Sequence, residues 1–254
     1  MTKQKNGRRQ LKEYDGIAQS YDELMDHVNY KQWAKYLQTI FSLHDKKIKS
    51  LIDMSCGTGS LLASMAASKI QLTGSDISFQ MLAQAKEKCR NRNIRFAAAD
   101  FMNLPFSDNE FDAALVLYDS VNYLLKDKDV QMFFNEADRI LKNKGLLIFD
   151  AVTPYTCRTY FSNYHVQEFD ENGRGYDRKS WFDEKKSIQY NEFLISCNDG
   201  TFLEKHKQKI RSIRSWSKLV QAGPFADFTI FGDFTFMPAK KNAERVHFVC
   251  EKVR

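Results

Sequence analysis

Residues 51–60 read LIDMSCGTGS. An apolar run ends on a carboxylate, Asp53, breaks into Ser55-Cys56-Gly57-Thr58-Gly59, and resumes as LLASMAA. That order predicts a strand, a tight loop and a helix. In open parallel sheets, ligands bind beyond the carboxyl ends of the strands. A glycine-rich loop there lets bare backbone approach the ligand. The following helix offers its free N–H groups to the same space.

The flanking sequence narrows the ligand. A dinucleotide fingerprint needs a third glycine where this chain has Leu62, and no G-K-[ST] follows to cradle phosphate. The next apolar run ends in Gly74-Ser75-Asp76, about 20 residues beyond the loop, where an acid accepts ribose hydroxyls. A third acid, Asp100, closes the stretch AAADF; it is placed to accept from an exocyclic adenine amine, with Phe101 alongside the ring. Three carboxylates at three strand ends would repel a diphosphate and suit a nucleoside with a cationic tail. Singly, Asp53, Asp76 and Asp100 also read as turn or cap residues. Their order at successive strand ends favours one shared crevice.

Periodicity organises the rest. Helices are expected over 12–43 (as two), 60–68, 78–90 with Ser78 as cap, and 130–142, stopped near Gly145. Strands are expected over 48–54, 70–76, 94–97, 111–118 and 146–150. This alternation indicates βαβ units and a parallel sheet. The nearly continuous apolar strands agree, because parallel strands are covered on both faces. After Asp150 the pattern changes. Residues 164–211 alternate aromatic and β-branched with polar residues, broken by DENGRG, DEKK and CNDG, which predicts an antiparallel meander. A helix over 213–221, ended by Gly223-Pro224, and two strands in FADFTIFGDFTF and ERVHFVCEKV complete the chain.

Composition sets bounds. The 254 residues, 43% hydrophobic, suffice for one α/β domain with an accessory part. No apolar stretch is long enough to cross a membrane, and MTKQKNGRRQLKEY lacks the core of a secretory signal. The five cysteines show no C-x-x-C spacing. No disulfide framework or metal site is expected, and the location expected is cytoplasmic. Cys56 reads as a small residue packing the loop. The net charge of +6 is concentrated in Lys3, Lys5, Arg8, Arg9 and Lys12. A solvated tail is the expectation, with nucleic acid or acidic lipid contact the alternative.

DMSCGTG, then GSDIS with Met81, then AADFMNLPF, then FDAALVLYDSVNYL resembles a class I S-adenosylmethionine-dependent methyltransferase. The resemblance covers about residues 12–150 and resumes at LVQAGPF. It implies a Rossmann-like α/β fold: a seven-stranded, mostly parallel sheet with an antiparallel final strand, carrying an inserted antiparallel β meander. The expected parts are an N-terminal helical cap (1–46), the cofactor domain (47–152 and 212–254) and the insert (153–211). The implied cofactor is S-adenosyl-L-methionine. Asp53 would support the loop and the amino end of the methionine moiety, and Gly57 and Gly59 would let backbone pass it closely. Asp76 would bind the ribose hydroxyls, Ile77 and Met81 would lie against adenine, and Asp100 with Phe101 would hold its amine and ring. Ser55 departs from the family's usual glycine and is tolerable if its φ stays negative. EYDGIAQSYDEL and NYKQW resemble the lead-in of the glycine N-methyltransferase-like and sugar-amine N-methyltransferase-like branches. By that resemblance Tyr14, Tyr21 and Trp33 fold over the cofactor, where electron-rich rings stabilise a sulfonium. A plain helix face is the competing reading, above all for Trp33.

Methyl transfer needs alignment and exclusion of water more than a nucleophile or metal. The acceptor pocket is expected at loop 118–123, where Tyr118 or Asp119 either binds or deprotonates the acceptor or caps the loop. That loop lacks the N-P-P-[YF] sequence used on planar amines of nucleic acid bases or glutamine. His165, His206 and His247 are candidate bases, each also readable as structural. The meander can cap the acceptor side through Tyr164, Phe169, Tyr176, Trp181 and Phe182, or use them for its own core or a homodimer face. Arg158, Arg174 and Arg178 are candidate carboxylate binders. The expected partner is a small-molecule acceptor, with no membrane and with nucleic acid disfavoured. Competing readings are an RNA or protein methyltransferase using the basic arm, and a non-catalytic protein that binds the cofactor. An NAD-linked oxidoreductase stands furthest behind, opposed by the missing third glycine.

Overall fold

The computed structural model describes residues 4–5, 8–10, 13–14, 16–18, 21–197, 200–225 and 227–253. In chain order they form β1 (Gln4–Lys5), β2 (Arg8–Gln10), α1 (Tyr21–Leu24), α2 (Tyr30–Leu43), β3 (Ser50–Asp53), α3 (Ser60–Met65), β4 (Gln71–Asp76), α4 (Phe79–Lys88), β5 (Ile94–Ala98) and β6 (Phe111–Val116). A 3-10 turn (Ser120–Tyr123) leads to α5 (Asp127–Ile140), β7 (Leu141–Val152) and α6 (Pro154–Tyr160). Then come β8 (Asn163–Phe169), β9 (Gly175–Asp183), β10 (Ile188–Cys197), β11 (Gly200–Lys209), α7 (Ile213–Gln221), β12 (Asp227–Gly232) and β13 (Arg245–Glu251).

Seven strands form one sheet in the order β12-β13-β7-β6-β3-β4-β5. From β5 to β7 the pairings are parallel; β13 runs antiparallel to both β7 and β12. The final strand is thus antiparallel, as expected, and lies inside the sheet. Alternating side chains bury on opposite faces because strand side chains have a period of two. Ile52, Val116, Leu147 and Phe149 join Phe133, Phe134 and Ile140 of α5 and Trp216 of α7. Leu51, Leu115, Leu146 and Ile148 join Leu37 and Ile40 of α2 and Leu61 and Leu62 of α3.

The meander is a second sheet, β11-β10-β9-β8, to which β2 adds in parallel along β11 and β1 along β2. Several boundaries differ from the sequence reading. Residues 13–14 and 16–18 form turns instead of helix, and the described N-terminal helices are the shorter α1 and α2. The helix before Gly145 ends at Ile140, and β7 begins at once, pairing Leu141 with Phe111 ahead of a bulge. Helix α6 was not anticipated; Thr153 caps it and Pro154 opens it. Of the basic arm, Lys3 and Lys12 lie outside the described residues. No helix among the described residues is long and apolar enough to cross a membrane.

Candidate functional site

A cavity of about 420 Å³ opens beyond the carboxyl ends of β3, β4, β5 and β6. Asp53, Ser55 and Gly57 reach it from the loop after β3, and Asp76, Ile77 and Met81 from the turn after β4. Asp100 and Phe101 follow β5, Tyr118 follows β6, and Tyr14, Tyr21 and Trp33 come from the N-terminal segment. Gly59 and Asp119 are the expected site residues missing from the wall.

Backbone geometry explains the loop. Gly57 sits at φ +52°, with open space where a Cβ would stand, and its N–H donates to Asp76 Oδ2 at 2.8 Å. Gly59, at φ +75°, starts α3; a Cβ there would meet the Ala85 Cβ at 3.1 Å. Its role is helix packing, a correction to the expected cofactor contact. Ser55 is not among the residues at positive φ, and its buried Oγ has no hydrogen-bond partner among the described residues.

The acids differ. Asp53 is buried, and Ser55 N–H donates to its Oδ1 at 3.2 Å. Burial foremost, then the neighbouring Asp76 and Asp150, pushes its carboxyl up to about 7. Burial also raises Asp76, opposed by the N–H groups of Ser78, Gly57 and Ile77. Asp100 Oδ1 accepts from Met102 N–H at 2.9 Å, a local turn.

Two anchors hold the N-terminal segment over the cavity. Asp22 accepts from Thr58 Oγ1 (2.6 Å) and Lys88 Nζ (2.7 Å), tying α1 to the glycine loop and α4. Glu204 of β11, fully buried, accepts from the backbone N–H groups of Tyr14, Gly16 and Ile17. Tyr14 Oη lies 2.8 Å from Tyr123 Oη, which lies 2.8 Å from His206 Nδ1; His206 Nε2 faces Glu204 Oε2 at 3.2 Å. Tyr123 also lines the cavity. Sequence reasoning named His206 and Tyr123 separately and missed Glu204. Their signal was the alternation in TFLEKHKQKI, which puts an acid and a histidine two apart on one strand face.

At the acceptor end, Tyr118 and Asp119 both take positive φ, 59° and 51°. Tyr118 turns inward against Trp33 and Tyr30, and burial pushes its hydroxyl up to about 12. Asp119 turns away. Its oxygens accept from Arg245 Nη2 (2.9 Å) and Gln208 Nε2 (2.6 Å), and its N–H donates to Asp150, which Arg245 also bonds. Asp119 therefore fixes the loop, while Tyr118 lines the cavity. Trp33 both lines the cavity and packs with Phe234 and His247.

The other candidates fall elsewhere. His247 is fully buried among rings, and burial pushes it down to about 3. His165 binds Asp177 on the outer strands. Arg158 pairs with Glu184 and Arg174 with Asp170, while Arg178 covers the Phe161, Tyr164 and Phe193 rings. None of Tyr164, Phe169, Tyr176, Trp181 and Phe182 lines the cavity. The insert acts on it through Glu204 and His206 instead. Among the described residues, no group of three or more metal-ligating side chains comes together.

These walls fit S-adenosylmethionine. Asp53, Asp76 and Asp100 present acceptors at three strand ends, Tyr14, Tyr21 and Trp33 supply rings, and Gly57 exposes bare backbone. No Lys, Arg or His side chain lines the cavity among the described residues, so nothing there opposes a sulfonium.

Residues 51–145 match the family described as "Methyltransferase domain". The chain is 30% identical over 244 residues to "Putative methyltransferase YqeM" of Bacillus subtilis (strain 168), covering 94% of this chain and 97% of that one. It is 32% identical over 143 residues to the demethylmenaquinone methyltransferase of Staphylococcus epidermidis, covering 53% and 56%. An S-adenosylmethionine-dependent methyltransferase from Clostridium acetobutylicum shares the fold with a TM-score of 0.77 at 23% identity, over 94% of this chain and 98% of that one.

Proposed function

The chain belongs to the class I S-adenosylmethionine-dependent methyltransferases, and we propose that it methylates a nitrogen or oxygen of a small molecule. The observation that carries this reading is the roof of the cavity. Tyr14, Tyr21, Tyr30 and Trp33 from the N-terminal segment, with Tyr118 and Tyr123 beyond β6, line it together. A space of about 420 Å³ is the size of a small-molecule site. Among the described residues, the walls carry none of the arginines and lysines that hold a phosphate backbone.

When bound, the cofactor supplies a methyl group activated for in-line displacement. The protein does the rest. Asp76 accepts from the ribose hydroxyls with the lone pairs that Gly57 and Ser78 leave free. Asp100 accepts from the adenine amine beside Phe101, Ile77 and Met81. Asp53 and the Gly57 backbone hold the methionine end. The tyrosines orient the acceptor and exclude water, the terms that dominate such a step.

The test is a screen with methyl-labelled cofactor against small-molecule extracts, total RNA and total protein. Label in a low-mass product is expected. Label confined to RNA or protein, and lost on deleting residues 1–12, contradicts the proposal. A quinone product would favour chemistry like that of the staphylococcal relative.

A further inference from the structure

The hydrogen-bonded line from Tyr14 through Tyr123 and His206 to Glu204 starts at the cavity wall and runs inward, away from the three strand-end acids. Its inner end is dry: Glu204 is 0% and His206 2% exposed. A carboxylate only accepts, and this selects the imidazole tautomer. With Nδ1 accepting from the Tyr123 hydroxyl, Nε2–H donates to Glu204, whose oxygens also take three backbone N–H groups. An imidazole held by a carboxylate on one side and a hydroxyl on the other is arranged to take up a proton and stay put. The cavity supplies the second observation. Glu13, Asp53, Asp76 and Asp100 line it, and among the described residues no basic side chain does, which attracts ammonium and repels anionic acceptors.

We propose that the acceptor is an amine and that its proton leaves through Tyr14 and Tyr123 to His206, backed by Glu204. The inference rests on the methyl-transfer reading above. An ammonium acceptor gives one proton to the tyrosine pair, and the pair passes one to His206 Nδ1, so both tyrosines end neutral. The freed nitrogen lone pair then forms the N–CH3 bond as the carbon–sulfur bond breaks and its electrons return to sulfur. The imidazolium, paired with Glu204, returns its proton through Tyr123 and Tyr14 to water in the cavity once product leaves. Burial raises both tyrosine hydroxyls well above their ordinary range, which keeps them relays instead of phenolates. The groups around His206 are Tyr123 and Tyr14, Glu204 on its own strand, and Asn191 opposite on β10, whose Oδ1 holds Arg178. Asp119 is engaged nearby with Gln208.

The test uses the full chain. Calorimetry first establishes S-adenosylmethionine binding in native protein and His206→Asn. Methyl transfer is then followed by product mass with D-glucosamine, tyramine and putrescine as amine probes, and catechol and 4-hydroxybenzoate as contrasts. Native enzyme is expected to methylate at least one amine on nitrogen. His206→Asn and Tyr123→Phe are each expected to lower kcat roughly 10²-fold near pH 6.5. The deficit should shrink as pH approaches the amine's own pKa, with cofactor affinity unchanged in His206→Asn. In 15N-histidine NMR of the native complex, His206 should gain a proton when amine is added. Cofactor binding with no amine turned over overturns the proposal, as does an equal loss at every pH, the mark of a structural role. Failure of the native protein to bind cofactor overturns the underlying reading as well.

Discussion

S-adenosylmethionine should bind more tightly as pH rises toward 7, because of Asp53. Its carboxyl is buried near Asp76 and Asp150, with Ser55 N–H its one hydrogen-bond donor among the described residues, and this pushes it up to about 7. An aspartate in water titrates near 3.9. A raised folded-state pKa means that the ligand-free fold prefers the protonated acid. That stabilising contribution is complete below about pH 4 and is lost as pH climbs through about 7. A positive charge beside Asp53 reverses the preference, so binding expels a proton. If the ligand restores the ordinary value, the linkage spans about 3 pH units, or about 4 kcal/mol. Asp53 is half ionised at about pH 7 and about 1% ionised at pH 5, so affinity should fall roughly fiftyfold between them. The window stops there because an α-amino group titrates near 8. Calorimetry across that range, in buffers of different ionisation enthalpy, gives both affinity and protons released. Asp53→Asn should flatten the profile. Affinity independent of pH, or an unchanged slope in Asp53→Asn, refutes the reasoning.

Three further outcomes follow from the same geometry. Gly57→Ala should cost about 1–2 kcal/mol of stability from its positive φ alone, since its Cβ meets nothing, while weakening cofactor binding disproportionately. Gly59→Ala adds contact with Ala85 to the same strain and should lower the melting temperature more while perturbing binding less; thermal unfolding alongside titration separates the two. Arg245→Met leaves buried Asp150 and half-buried Asp119 without their shared cation and should cost about 3–5 kcal/mol in denaturant unfolding, partly restored by a second change, Asp150→Asn.

Local signals were readable where function and backbone coincide. The strand-loop-helix at 51–60 and the acids after β4 and β5 lie where their sequence order put them, because each is set by residues a few positions apart. The sequence left Asp119 between two readings because the partners that hold it, Arg245 and Gln208, lie 126 and 89 positions away. The Glu204 anchor was invisible for a different reason. It bonds Tyr14 across 190 positions, and His206 meets Tyr123 across 83, contacts set by how the second sheet docks. Helix α6 escaped because seven residues give too few turns for periodicity to register.

The central claim is that the acids at the strand ends hold a cationic nucleoside. Its most direct test is titration of S-adenosylmethionine and its demethylated product into native protein and Asp76→Ala. One site per chain is predicted in the native protein. Affinity for both ligands should fall about a hundredfold in Asp76→Ala, for the loss of hydrogen bonds to a charged acceptor worth about 1.5–3 kcal/mol each. Native protein that binds neither ligand, or Asp76→Ala that binds as tightly, would contradict it.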